Sequence, residues 1–128
     1  MNRLSTAFFS AAVLYALAGI VLGMVMGATQ DFAMRPVHAH LNLLGWAGLA
    51  IMGAFFGLAG TRAPQKLGWA VFVISNVGNV CLLSMVALIS KGKPPIVPVL
   101  MTGELSVLVG MALFGACVLM AGRKSALA

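Results

Sequence analysis

The chain has 128 residues, of which 62% are apolar and only 8% charged, and its mean hydropathy is +1.08. A soluble domain of this length lacks the interior to hide so much apolar surface, so composition excludes one and makes lipid the solvent for most side chains. The net charge of +6 does not mark a nucleic-acid binder, because the eight basic residues are spread over every segment outside the apolar runs; it reads as membrane topology with some attraction to anionic lipid.

Crossing a hydrocarbon layer of ~30 Å takes ~20 helical residues, and four runs reach that length, at residues 4–28, 37–60, 67–89 and 98–121. The first follows Arg3 and resembles a secretion signal, but its apolar stretch exceeds the ~7–15 residues of such a core, so it is expected to be retained as a helix. The separators hold charges and helix breakers: Asp31 and Arg35, then Arg62, Pro64 and Lys66, then Lys91, Lys93, Pro94 and Pro95. Loops this short force antiparallel neighbours, which predicts an all-α, up-down-up-down four-helix bundle forming one membrane domain over 1–128. Arg3, Arg62, Lys66, Arg123 and Lys124 fall on one side and Arg35, Lys91 and Lys93 on the other. That bias predicts both termini in the cytoplasm of a multi-pass protein of a bacterial inner membrane, with the first and third loops facing outward.

Inside lipid, helices associate through small residues that let backbones approach. Gly19, Gly23 and Gly27 form such a ladder on the first span, and Gly45, Gly53 and Gly57 supply another on the second. These glycines serve packing or leave a groove for a flat cofactor, and the pattern does not separate the two. Cys81 and Cys117 differ in depth by ~15 Å at 1.5 Å per residue and are not expected to bridge.

The chemistry concentrates at the mouth of the second span, in Arg35-Pro36-Val37-His38-Ala39-His40-Leu41-Asn42. His38 and His40 are the only histidines, and imidazole is the commonest metal ligand. On an ideal helix, residues i and i+2 lie about 200° apart, so both rings do not point into one bundle interior. Either Pro36 leaves the first turn irregular, or one ring faces the bundle and the other a neighbouring protomer or the interface. Counting from the same end of the parallel second and fourth spans puts Glu104 level with His40 and Asn42, with Asn79 in the same half. Glu104 is the only glutamate, and a carboxylate within a span is a functional candidate beside the imidazoles. Haem suits a glycine-lined groove with an axial imidazole and Arg35 near a propionate. Copper or zinc is the rival, using thioethers such as Met24, Met85 and Met101, and a structural role without cofactor is the third reading.

The run from Arg35 to Leu41, followed by Trp46 and by Gly53-Ala54-Phe55-Phe56-Gly57, resembles the second transmembrane helix of haem-copper oxidase catalytic subunits, above all the nitric oxide reductase branch. The chain is also similar to small four-span bacterial membrane proteins carrying His-x-His-Leu-Asn-Leu-Leu-Gly. The resemblance implies that His38 is an axial ligand of a low-spin haem b near the outer face. It covers the first two spans only. With two histidines in all, the chain lacks both the family's second axial ligand on a later helix and its copper ligands, so no oxygen- or nitric-oxide-reducing centre is expected. The sixth position then falls to His38 or His40 of another protomer, to Met24, Met85 or Met101, or stays open. The expectation is a small b-type membrane cytochrome and homo-oligomer, with His38 and His40 at the haem, Arg35 on a propionate and Asn42, Asn79 and Glu104 around it. Its work would be electron transfer with a respiratory partner or haem-linked sensing.

Overall fold

The computed structural model describes residues 1–126 and is built of helices, with no strand among the described residues. Four helices, α1 (Arg3–Thr29), α2 (Arg35–Arg62), α3 (Gln65–Ser90) and α4 (Val97–Ala126), cover the four apolar runs and extend slightly past them. All four are long and apolar enough to cross a membrane. Large apolar side chains such as Leu14, Leu43, Leu58, Leu108 and Leu119 remain exposed on their outer faces, as lipid contact requires.

Local chemistry sets the helix ends. Asn2 caps α1 by accepting the Ser5 N–H at 2.8 Å, and its own amide donates to Phe56 O at 2.9 Å, which ties the start of α1 to the end of α2. Gln30 closes α1 in the left-handed region at φ 55°, and Asp31 turns the chain by accepting the Ala33 N–H at 3.0 Å. Pro36 then occupies the first turn of α2, where its missing N–H costs nothing. After α3, Gly92 at φ 71° lets Lys93 N–H return to Leu88 O at 3.0 Å before Pro94 and Pro95 lead into α4.

The bundle has two unlike halves. At the end shared by the start of α1 and the last turns of α4, Phe8 stacks on Phe56 at 5.5 Å and meets Phe72 edge-on at 5.1 Å, while Phe114 of α4 packs against Phe55 at 5.3 Å. Leu4, Leu49, Val71 and Cys117 are buried around these rings. Ser5, also buried, donates its hydroxyl to Gly53 O at 2.8 Å. Glycines let the helices approach at both ends: Gly53 meets Phe8 and Gly68 meets Leu4 and Phe56 at the aromatic end, while Tyr15 sits against Gly45, Asn42 against Gly19 and His38 against Gly23 towards the other. The α3–α4 seam is built likewise, with Gly78 against Ser106 and Val107 and Gly103 against Leu82. Both cysteines are free.

Helix α2 is not α-helical throughout. Regular turns cover Arg35–His40 and Leu49–Ala59, and between them Leu41–Gly48 is wound as a π-helix, with a short 3-10 turn at Gly60–Arg62. A π segment is a poorer hydrogen-bonding arrangement than the α-helix and is found where side chains must be re-aimed. Its eight residues contain Gly45 and Gly48, which reduce side-chain crowding, and it begins directly after the histidine turn.

Gly45→Ala is expected to destabilise the folded protein by about 1–3 kcal/mol, since its methyl would meet Tyr15 Cβ and Cγ, atoms that move only with the α1 backbone. Gly27→Ala, which meets nothing within 4 Å, should be neutral or stabilising by up to ~1 kcal/mol. Thermal unfolding of both variants in the same detergent checks the difference.

Candidate functional site at the start of helix α2

Arg35, His38 and Asn42 follow one another at helical spacing on α2, so they share a face one to two turns inside the helix mouth. His38 lies against α1, with Nδ1 2.8 Å from Gly19 O. A carbonyl oxygen only accepts, so neutral His38 carries its proton on Nδ1 and keeps the Nε2 lone pair. The neighbouring glycines make this approach possible: a Cβ at Gly23 would lie 2.9 Å from His38 Cε1, and one at Gly19 would lie 2.8 Å from the Asn42 amide. Asn42 donates to His38 O at 2.8 Å, and the same amide faces the Nε2 lone pair at 3.5 Å, the long limit of a hydrogen bond.

His40 is held differently but protonated alike. Its Nδ1 is 2.7 Å from Pro36 O on its own helix, which again places the proton on Nδ1 and leaves Nε2 as a donor to a Lewis acid. The first turn of α2 is regular helix, and the two rings take separate seats, His38 on α1 and His40 on its own backbone. Tethering of one ring nitrogen to a carbonyl is the arrangement that orients a metal-ligating imidazole and raises its basicity.

Arg35 lies with its guanidinium 5.2 Å from the Phe32 ring centroid and is exposed at the helix mouth. The remaining candidates stand apart from the rings. Asn79 is buried in α3, where its amide reaches Leu44 O at 3.4 Å and interacts with the Tyr15 hydroxyl. Glu104 is exposed on α4 and hydrogen-bonds to neither histidine. Met85 is buried and its sulfur accepts the Ile96 N–H at 3.3 Å, whereas Met24 and Met101 are exposed. Among the described residues no three His, Cys, Asp or Glu side chains gather as a metal cluster. Five clefts among the described residues have neither His38 nor His40 in their lining.

Two features of the site are not legible in the sequence. The π segment carries no local signal beyond its two glycines. The seating of His38 and Asn42 on Gly19 and Gly23 is foreshadowed only by small residues four apart on one helix and polar residues four apart on the next. Comparison with protein-family models, with curated proteins and with solved structures gives no match to this chain.

Nitrogen-15 spectra of labelled histidine should show both neutral rings as the Nδ1–H tautomer, the reverse of the form favoured in water. A majority Nε2–H signal from either ring would contradict the two carbonyl tethers.

Proposed function

We propose that this chain is a small multi-pass membrane protein that offers His38 as an axial ligand to haem b, in a homo-oligomer where a second copy completes the haem environment. The observation that carries this reading is the pair of Nδ1 tethers, to Gly19 O at 2.8 Å and to Pro36 O at 2.7 Å, which orients both rings; Nε2 of His38 is then met only by the Asn42 amide at 3.5 Å, a long contact that a ligand displaces. The donor set fits an iron porphyrin, because imidazole is an ordinary axial ligand and Arg35, one turn away, is a cation free to meet a propionate. A symmetric interface would supply both a second wall for the porphyrin and a second imidazole. When bound, the haem supplies one-electron redox chemistry. This chain's residues would bind and orient it: Gly19 O holds the His38 ring through Nδ1, Gly23 leaves the ring room against α1, and the Asn42 amide turns aside from Nε2 when that atom takes a ligand.

The basic-residue bias supports placing both termini in the cytoplasm of a bacterial inner membrane, with the histidine end outward and within reach of a respiratory redox partner.

Protein purified after haem-replete expression should show a Soret band and, on dithionite reduction, the sharp bands of a low-spin b-type haem. His38→Ala should abolish the pigment. A colourless wild-type protein, or one whose pigment survives His38→Ala, overturns the assignment. Copper and zinc analysis of the same samples identifies the rival use of these imidazoles.

A further inference from the structure

Helices α2, α3 and α4 border a small, partly open cavity away from the histidines, whose walls include Leu44, Gly48, Met52, Ser75, Asn79 and the half-exposed Met111. It leaves ≈ 20 Å³ for the centre of a water-sized sphere. That exceeds the ~10–15 Å³ needed to hold one water and is too little for anything much larger.

Its walls are mostly apolar, with polar groups on one side. Ser75 is only 6% exposed, its hydroxyl makes no hydrogen bond to any described residue, and its oxygen keeps a little surface open to the cavity. Such a group in the middle of a span is unusual, because a helical serine there ordinarily bonds the carbonyl four residues back, as Ser84 does with Val80 O at 2.7 Å. Steric pressure from α4 accompanies this geometry: a Cβ at Gly110 would lie 2.7 Å from Ser75 Oγ, so the hydroxyl packs on the bare glycine. Asn79, one turn further along α3, also lines the cavity and holds Leu44 O only at 3.4 Å, the long limit of a hydrogen bond. Leu44 and Gly48 both belong to the π segment.

We infer that this cavity is a binding site for one ordered water, which accepts the Ser75 O–H and donates to the oxygens on the Asn79 and Leu44 side of the wall. The ligand is a neutral water and not a metal cation, because the polar atoms lining the site carry no formal charge and are too few for an oxygen-only coordination shell. The water bridges α3 to the π segment and holds that segment's irregular backbone in register. The site stands independently of the haem reading.

Water-to-amide cross-relaxation spectra of the intact protein in deuterated-chain detergent test it. Long-lived water should give cross-peaks to the Leu44 or Gly48 amide and to the Asn79 side-chain amide. Ser75→Ala should remove them while leaving the rest of the amide spectrum in place. Val107→Ile, which adds one methylene to the cavity and changes no polar group, should remove the same peaks and keeps the proposal falsifiable if the alanine variant does not fold. A wild-type spectrum without water peaks at these amides overturns the site, as do peaks that persist at full intensity in Val107→Ile.

Discussion

The contact between His38 and the Gly19–Gly23 surface of α1 governs this molecule. In lipid there is no water to satisfy a stray N–H, so an imidazole placed between two helices must find its acceptor in protein. It finds a main-chain carbonyl, Gly19 O, on a face of α1 that glycine keeps clear of side chains. One hydrogen bond thereby joins α1 to α2, chooses the ring tautomer and points the remaining lone pair. Asn42, pressed against Gly19, fixes the same seam from one turn deeper.

The two halves of the bundle divide the work of folding. The aromatic half, centred on Phe8, Phe56, Phe72 and Phe114, is held by ring contacts that depend on shape and dispersion and are indifferent to small rotations elsewhere. Hydrogen bonds and close backbone approach act in both halves, through Asn2, Ser5, Gly53 and Gly68 at the aromatic end and through His38, Asn42, Gly19 and Gly23 at the other, where no ring cluster accompanies them. The π segment lies between them, and its wider winding changes the rotational register of side chains between the His38 end and the Phe56 end of α2.

Polar groups in the span fall into separate places. His38 and Asn42 belong to the α1–α2 seam; Tyr15, Asn79 and Ser75 belong to the inner faces of α1 and α3; Glu104 lies on the outer face of α4. A common depth along parallel helices does not put residues in contact, because the direction in which each helix face points is a second, independent coordinate. Depth is readable from residue counting, and facing is not. For the same reason Met24 and Met101 point outward while Met85, in the buried interior of α3, is occupied by the backbone of the third loop.

Four lipid-crossing lengths, the breakers between them and the helix mouth at Pro36 follow from composition and local stereochemistry, so the sequence by itself determined the helices, their ends and the residues capable of ligand chemistry. The separation of the two imidazoles onto different seats also follows from helical periodicity, since an angle of about 200° between residues two apart is a property of the helix alone. What tertiary structure decided is which partner each polar group meets: Gly19 O for His38, Leu44 O for Asn79, the bare Gly110 for Ser75, and the π winding of Leu41–Gly48. Those outcomes depend on how far apart two backbones settle and how each helix is rotated, quantities set jointly by all the side chains along a seam and encoded in no local window of residues.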